Sequence, residues 1–435
     1  MNSPTGQAHA LDDPAAVAIL RARGIPVTDI QSLAHDQTPF AQRTAAWTRV
    51  MVPGVNLRAR PVELDGGFTN IYTLTVDLDR ARCQAVSSPT GFHLRDLVRH
   101  DDVVAAVSGS FSYISDDPDY QPAEPCLDLV CRDGRVTGLP TATKPALLVQ
   151  HARPLVRTVA ATGTLTIAGH RHTWAGSKQP LSPEHERRGH LTVYGAANCR
   201  VRYRDNARTG FLRDVDPDTN TTRHTPDALD ATVTATTDGL EVTAVRPGGG
   251  SDLFAGNFIL RARHPWPRHL VPGARIHVTD IGGARPADLR SALSIGPSTA
   301  DAAAGRTGAW DQSLGTSPFR PTARNARTLL AVHDNTLYLQ IFDGARLTNA
   351  FQGTTPHETA SLCSDAGLDP TQVFHLDGGG TSKIAYLRED HDPDVVGSLH
   401  YLQWPTTPDA PFRWRGLEGR VLRSAVAITV PQEAG

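Results

Sequence analysis

Short runs of alternating apolar and polar residues recur along this chain of 435 residues and predict a protein built mainly of β-strands. Residues 71–78 alternate well, and residues 103–107 form an apolar run typical of a buried strand. Residues 327–332 and 337–342 form two more such runs, and the four polar residues between them predict a β-hairpin. The many glycines and prolines, 37 and 32, fit a β-rich chain with many turns.

Helical signals are few and short. One segment begins with Thr355, Pro356 and Glu358 at the N-cap, first and third positions, which is a capping box. Helices are predicted over residues 13–24, 93–100, 286–293 and 355–367.

The length of the chain exceeds that of an ordinary single core, and the pattern predicts one large, elaborated domain. The predicted fold class is α+β, with β-rich mixed sheets and a few short helices. Residues 1–60 are expected to form an N-terminal leader with one short helix, and residues 61–435 the domain. Residues 150–285 carry many short strand-like runs and form its β-rich middle portion.

Charge and cysteine content argue against several classes of protein. The 43 basic and 45 acidic residues give a net charge of -2, which does not suggest a nucleic-acid or membrane partner. Five widely spread cysteines without a C-x-x-C pair argue against a disulfide framework and favour the cytoplasm. The N-terminus lacks the pattern of a signal peptide, and no run approaches the ~18 apolar residues of a membrane span. We expect a small-molecule substrate and no cofactor or metal; the oligomeric state stays open.

The turn after residues 373–376 is the clearest candidate for a functional site. It lies between two apolar runs, so the pattern is strand, turn, strand. Its glycines allow positive φ and a close approach of ligand, and its N–H groups are able to form an anion-binding nest. A tight glycine turn capped by an aspartate is the alternative. The turn consists of Asp377, Gly378, Gly379, Gly380, Thr381 and Ser382.

Three other residues add chemistry to this turn. Arg327 and Thr328 begin a predicted strand, and an arginine offers a planar fork for phosphate or carboxylate. Glu358 and Asp377 supply two carboxyl groups, and glycoside cleavage usually uses two, one as acid and one as base or nucleophile. Two alternatives stay open, that Glu358 serves only in the capping box and that Arg327 is only a surface cation.

Two weaker patterns complete the candidates. The strand that ends at Ser108 and Gly109 is a second place where a ligand can approach the backbone closely. Ser108 as a nucleophile paired with His375 is an alternative, although the G-x-S-x-G motif that usually surrounds such a serine is not present there. His170 and His172 are predicted to share one face of a strand, either as metal ligands or as surface polar residues.

Taken in order, these motifs resemble the phosphodiester glycosidase family. The resemblance spans roughly residues 65–430, and residues 321–430 match best. The residues that carry it are Ser108-Gly109-Ser110-Phe111, Gly296-Pro297, Arg327-Thr328, Gly353-Thr354-Thr355-x-x-Glu358, residues 376–382 and the closing run 420–428.

The resemblance implies a hydrolase that cleaves a sugar phosphodiester, with Asp377, Glu358 and Arg327 as catalytic residues. It also implies a set of substrate-binding residues, which are Ser108, Gly109, Thr328, Thr355, His375, Gly378, Gly379, Gly380, Thr381 and Ser382.

Departures from the family pattern indicate an altered substrate or reaction. Ser108 and His375 each stand where the family has asparagine, and Lys383 replaces a small hydroxyl residue. We therefore expect a divergent hydrolase acting on a small glycosidic or phosphorylated metabolite, in intracellular biosynthesis of a natural product. A non-hydrolytic step on the same scaffold, such as elimination or cyclisation, is the second hypothesis. A non-catalytic module that binds a small ligand is the third.

Overall fold

Strands dominate the computed structural model, which describes residues 41–99, 102–113, 123–177, 189–204, 212–307, 310, 319–345, 350–389, 392–398, 402–403, 413–414 and 420–431. They make up 51% of the structure and helices only 9%. The predicted β-rich sheets and short helices are confirmed. The α+β class overstates the helices, because each is too short to form a layer of its own, and the fold is β-dominated.

All described elements are listed here in chain order. The strands are β1 (Trp47–Val52), β2 (Val55–Leu64), β3 (Gly67–Asp77), β4 (Arg82–Phe92), β5 (Val103–Ser108), β6 (Val130–Arg132), β7 (Arg135–Gly138), β8 (Lys144–Gln150), β9 (Arg153–Val159), β10 (Thr162–Ile167), β11 (His170–Gly176), β12 (Leu191–Tyr194), β13 (Val201–Arg204), β14 (Leu212–Val215), β15 (Ala228–Thr236), β16 (Gly239–Pro247), β17 (Phe258–Arg263), β18 (Arg275–Ile281), β19 (Leu289–Ser294), β20 (Arg327–His333), β21 (Thr336–Phe342), β22 (Val373–Leu376), β23 (Lys383–Leu387), β24 (Pro393–Gly397), β25 (Leu402–Gln403), β26 (Arg413–Trp414) and β27 (Leu422–Thr429). The α-helices are α1 (Leu94–Leu97), α2 (Thr299–Ala303) and α3 (Pro356–Asp365), and the 3-10 helices are Ala196–Asn198, Pro286–Asp288 and Gly379–Thr381.

Two sheets share the central hydrophobic core. One has the strand order β1-β2-β3-β21-β20-β22, and the other has the order β24-β23-β5-β27-β4. Leu74 and Leu339 of the first sheet and Val107 and Val426 of the second are fully buried in one apolar cluster. Burial of each such side chain stabilises the fold by about 1.5–3 kcal/mol. This core fixes the two sheets against each other and, with them, the positions of their strand ends.

The N-terminal strands are part of the first sheet. β2 pairs with β3 along its whole length, from Val55 opposite Val76 to Leu64 opposite Gly67. The predicted boundary between residues 60 and 61 therefore falls inside a strand, and residues 47–60 belong to the sheet. The helix predicted over residues 13–24 lies outside the described residues.

The middle of the chain forms a closed barrel in the strand order β10-β11-β12-β17-β15-β16-β18, which confirms the many short strands predicted there. A five-stranded sheet, β7-β6-β19-β8-β9, lies between this barrel and the central core. Adjacent residues of β8 show this: Leu147 belongs to the central cluster and Leu148 to the barrel cluster. Because successive side chains of a strand point to opposite faces, one sheet contributes to both cores.

The prediction of a helix over residues 286–293 is wrong. Only Pro286–Asp288 forms a helical turn, and Leu289–Ser294 is the central strand β19. β19 is paired on one side with β6 and on the other with β8. Ser291 and Leu293 on this strand are each only 1% exposed. This pairing overrides the local helical preference. Among the described residues, no helix is long and apolar enough to cross a membrane.

Candidate functional site

Several strand ends of the two central sheets meet at one place. Strands β3, β20 and β23 begin there, and β5, β21, β22 and β24 end there, as the pairing of neighbouring antiparallel strands requires. The residues predicted for the site at Ser108, Thr328, Asp377 and Ser382 all lie at these ends. Ser108 and Asp377 are in contact although they lie 269 positions apart, and the role of these residues as a site stays a prediction.

A hydroxyl network joins the two sheets at this point. Thr328 Oγ1 on β20 lies 3.1 Å from Ser108 Oγ on β5 and donates to Ser382 Oγ at 3.1 Å. Ser108 Oγ also donates to the carbonyl oxygen of Asp377 at 3.2 Å. The side chains of Ser108, Thr328 and Ser382 are fully buried. They therefore hold the floor of the site together, and a serine nucleophile at residue 108 has no exposed face.

Asp377 lies at the end of β22 and is partly exposed. Its backbone N–H donates to the carbonyl oxygen of Gly109 at 2.8 Å, and its own carbonyl accepts the bond from Ser108. Ser108 is the last residue of β5 in the other sheet, and Gly109 follows it directly. Bonds from a second sheet therefore fix the backbone that carries this carboxylate.

The glycine turn crosses between the two sheets, because β22 belongs to one and β23 to the other. It is therefore an ordered connection, with Gly379 at φ +65°. The N–H of Gly379 donates to the carbonyl of Ala326 at 2.8 Å, and the N–H of Ser382 donates to that of Gly379 at 3.1 Å. These two donors are engaged within the protein, so the turn offers fewer free N–H groups than the predicted anion nest. Gly378, Gly379 and Gly380 are partly exposed, and a Cβ on Gly378 would lie 2.9 Å from the carbonyl oxygen of Ala326, so the turn packs closely on the residue before β20.

Arg327 is a buried residue, 2% exposed, so its interpretation as a surface cation is wrong. Its Nη2 donates to the carbonyls of Ala323 at 2.7 Å and Thr354 at 3.2 Å, and its Nε also donates to Thr354 at 3.2 Å. Burial lowers the pKa of the guanidinium to about 10. The geometry makes Arg327 a positioning residue, since its bonds fix the segment that precedes helix α3.

His375 is also buried, at 1% exposed, and its ring lies 4.9 Å from that of Phe319. Burial and the neighbouring charge of Arg327 hold the pKa of His375 well below its usual range, so the imidazole is neutral. Its Nε2 has no hydrogen-bond partner among the described residues. Gly296 packs directly on it, because a Cβ at position 296 would lie 2.8 Å from His375 Cβ. The close approach explains why a glycine stands in the Gly-Pro motif.

Glu358 and Thr355 form the predicted capping box at the start of helix α3. Glu358 Oε2 accepts from the N–H of Thr355 at 2.8 Å, and the N–H of Glu358 donates to Thr355 Oγ1 at 3.2 Å. The other oxygen, Oε1, accepts from Arg324 Nη2 at 2.6 Å. Both carboxylate oxygens are therefore engaged in local structure, which favours the capping interpretation of Glu358.

Asn325 lies at this place too, although no sequence pattern indicated it. Its backbone pairs with Thr354, and its side chain lies against the glycine turn, with Oδ1 3.2 Å from where a Cβ would stand on Gly379. The amide is partly exposed and makes no hydrogen bond to the described residues. A partly exposed amide beside the glycine turn is suited to bind the hydroxyl groups of a ligand.

Asp343 is a second residue at this place that was not predicted from the sequence, although its sequence context resembles that of Asp377. Strand β21 ends in Phe342-Asp343-Gly344, the same apolar-Asp-Gly pattern as Leu376-Asp377-Gly378 at the end of β22. Both strands flank β20, so the two aspartates lie at the same end of the sheet. Asp343 is 2% exposed, and its Oδ1 accepts from the N–H of Gly344 at 2.7 Å.

An open cleft of about 610 Å³ lies elsewhere, between the β6–β7 and β8–β9 turns. Its charged residues are exposed or half-exposed, and no buried acid or base lines it, so the strand ends remain the better candidate site. Among the described residues, no three His, Cys, Asp or Glu side chains are grouped as a metal site. The cleft is lined by Arg82, Asp133, Gly134, Arg135, His151, Ala152, Ala287, Asp288, Leu289 and Arg290.

Comparison with known proteins gives similarity at the level of fold. No family model matches the sequence, and no curated protein matches it. The fold is similar to that of a hypothetical protein from Synechocystis, with a TM-score of 0.53 and 14% identity over 90% of this chain. The match spans 65% of that protein's length.

Two other solved structures are more distant. A protein from Burkholderia pseudomallei K96243 has a TM-score of 0.47 and 19% identity, over 83% of this chain and 74% of that one. The zebrafish N-acetylglucosamine-1-phosphodiester alpha-N-acetylglucosaminidase catalytic domain, auto-inhibited by its pro-peptide, has a TM-score of 0.38 and 12% identity, over 89% of each chain.

Proposed function

We propose that this chain is a divergent phosphodiester-glycosidase-like enzyme that hydrolyses a small glycosidic or phosphorylated metabolite. The observation that carries the proposal is the position of Asp377. It is a partly exposed carboxylate at the meeting point of the strand ends, and bonds from Gly109 and Ser108 fix its backbone. The three glycines beside it are also partly exposed. A partly exposed carboxylate on a fixed backbone is what proton transfer to or from a bound substrate requires.

In this proposal Asp377 is the group that exchanges a proton with the glycosidic oxygen or with the attacking water. Asn325 and the backbone of Gly378 to Gly380 bind the hydroxyl groups of the sugar. The engagement of both Glu358 oxygens supports giving that residue a positioning role.

A non-catalytic ligand-binding module is the second candidate, and one observation favours it. Ser108, Arg327 and His375 are each at most 2% exposed, so they shape the floor of the site and do not line its opening. The same burial weakens the hypothesis of a redirected reaction such as elimination, because the replaced residues 108 and 375 have little access to a substrate.

The proposed setting is the cytoplasm, with a small molecule as partner and a role in natural-product biosynthesis. Support comes from the cysteines: all five are free and buried. A chain with five unpaired thiols suits a reducing compartment.

A binding screen tests the proposal. Neutral glycosides, sugar phosphates and nucleotide sugars are tested by thermal shift, and hits are titrated by calorimetry. We expect Asp377→Asn to bind a hit as the wild type does, because the amide keeps the shape of the residue. Asn325→Ala should weaken binding about threefold to tenfold, the equivalent of one hydrogen bond. Asn56→Ala, near the opposite end of the same sheet, is the matched control. Failure of the wild type to bind any sugar compound, or equal binding by Asn325→Ala, would contradict this site.

A further inference from the structure

The open cleft of about 610 Å³ lies at the other end of the second central sheet from the candidate site. Strands β4 and β5 both pair antiparallel with β27, so they run in the same direction. β5 ends at the candidate site with Ser108, whereas Arg82 at the start of β4 lines the cleft. The cleft is therefore separate from the strand-end site, and its volume is within the about 300–1,000 Å³ that is typical of small-molecule sites.

Three arginines line this cleft, and two of them are unpaired. Arg82 and Arg290 are exposed, and neither guanidinium makes a hydrogen bond or an ion pair with the residues that the structure describes. The third, Arg135, is also exposed, and its Nη1 donates to the carbonyl oxygen of Thr237 at 2.8 Å. The cleft therefore offers unused guanidinium donors, whose planar fork suits the oxygens of phosphate or carboxylate.

The backbone places Arg290 at this cleft through a β-bulge. Leu289 and Ser291 pair with adjacent residues of β8, so Arg290 between them is an extra residue without a partner in that strand. A bulge of this kind changes the direction of a side chain. The carbonyl oxygen of Arg290 accepts the N–H of Asp133 at 2.5 Å, and this bond holds the bulge against the β6–β7 turn. The position of Arg290 is thus determined by two neighbouring elements.

Positive charge prevails in the cleft, although two aspartates also line it. Asp288 is neutralised by Arg285, whose Nε donates to its Oδ2 at 2.8 Å. Asp133 is exposed, and among the described residues its carboxylate has no cationic partner. Three arginines therefore face one uncompensated carboxylate. Since the whole chain has a net charge of -2, this local excess is a property of the cleft, and a cleft of one sign attracts ligands of the other.

We propose that this cleft binds a phosphate group, either as free inorganic phosphate or as part of a small phosphorylated molecule. A phosphate monoester carries a charge of about −1.5 to −2 near pH 7 and three acceptor oxygens, so two arginines can bind it at once. A monocarboxylate has one charge and two oxygens, and it fits the unpaired arginines less well. The titratable side chains that line the cleft are exposed or half-exposed, which suits binding and does not suit proton transfer.

Calorimetric titration of the full-length protein with inorganic phosphate, a hexose phosphate and acetate tests the proposal. We expect at least one of the two phosphate compounds to bind more tightly than acetate; binding of both assigns the site to phosphate itself, and binding of the hexose phosphate alone assigns it to a phosphorylated molecule. Affinity should fall about threefold in Arg82→Ala and in Arg290→Ala, and about tenfold in the double variant, the scale of exposed charge pairs.

Two further variants give the test a matched control and an effect of opposite sign. Arg171→Ala removes an exposed arginine of β11 outside the cleft and should bind phosphate as the wild type does. Asp133→Asn keeps the shape of the side chain and removes the one uncompensated carboxylate, so it should bind phosphate more tightly. Arg290→Gln serves if the bulge does not tolerate alanine.

The strand-end site is also proposed to bind phosphorylated compounds, and the same titrations separate the two sites. Asn325→Ala should leave inorganic phosphate binding at the cleft unchanged, and the Arg82→Ala/Arg290→Ala double variant should bind neutral glycosides as the wild type does. The proposal is overturned if the double variant binds phosphate as tightly as the wild type, if acetate binds as tightly as phosphate, or if the wild type binds neither phosphate compound. None of these results depends on the proposed hydrolase activity.

Discussion

Replacement of Glu358 separates a structural role from a catalytic one. Its Oε2 accepts the N–H of Thr355 at 2.8 Å and its Oε1 accepts from Arg324 at 2.6 Å. Glu358→Ala removes both contacts, whereas Glu358→Gln keeps an oxygen for the capping bond and loses the charge facing Arg324. The two variants therefore separate the capping bond from the ion pair.

The expected magnitudes follow from these contacts. A helix-capping bond contributes about 1 kcal/mol. The ion pair, with side chains 29% and 21% exposed, contributes up to about 1 kcal/mol. Glu358→Ala should thus lower the free energy of unfolding by about 2 kcal/mol, and Glu358→Gln by about 1 kcal/mol or less. In turnover of any substrate, Glu358→Gln should stay within a few-fold of wild type.

Urea unfolding followed by tryptophan fluorescence measures the stability of both variants, with the slope of the transition checked for constancy. Equal destabilisation by the two changes would show that the charge, and not the capping bond, is what matters. A loss of turnover by about a hundredfold or more in a stably folded Glu358→Gln would refute the structural assignment and return Glu358 to proton transfer.

Two further predictions concern buried ionisable side chains. The pKa of His375 is lowered in the folded protein, so the unfolded chain binds more protons below about pH 6.5, and stability must fall as pH drops through that range. His375→Asn should reduce this loss in urea midpoints compared between pH 8 and pH 5.5, and an unchanged pH dependence would contradict the burial argument. Lys144 pairs with Asp128, with side chains 1% and 0% exposed, so Lys144→Met should cost about 3–5 kcal/mol by leaving a buried carboxylate without its cation. The double variant Lys144→Met/Asp128→Asn should recover part of that loss in the same assay, and no recovery would argue against a direct coupling.

Local patterns predicted much of the C-terminal third. The hairpin over residues 327–342, the capping box at Thr355 and the strands on either side of the glycine turn are confirmed. Each depends on residues within a few positions of one another. Hydrophobic period, capping residues and turn residues therefore determine these elements without knowledge of the rest of the fold.

Long-range pairing determined what the sequence did not reveal. The glycine turn connects two different sheets, and the buried Arg327 donates to the carbonyl of Thr354, which is 27 positions away; neither follows from local sequence. The strand at residues 289–294 formed where a helix was predicted, because two partner strands flank it. His172 and His269 meet although they are 97 positions apart, which only closure of the barrel brings about.

Turnover by Asp377→Asn tests the central claim most directly. The wild type, Asp377→Asn and Asn56→Ala are compared on glycosides and glycosyl phosphodiesters selected by binding, with the release of sugar measured over time. We predict that the wild type and Asn56→Ala hydrolyse one class, and that Asp377→Asn binds the same compound but loses at least about a hundredfold in rate, because an amide neither accepts nor donates the required proton. Normal turnover by a folded Asp377→Asn, or no hydrolysis by a wild type that binds the compound, would contradict the account.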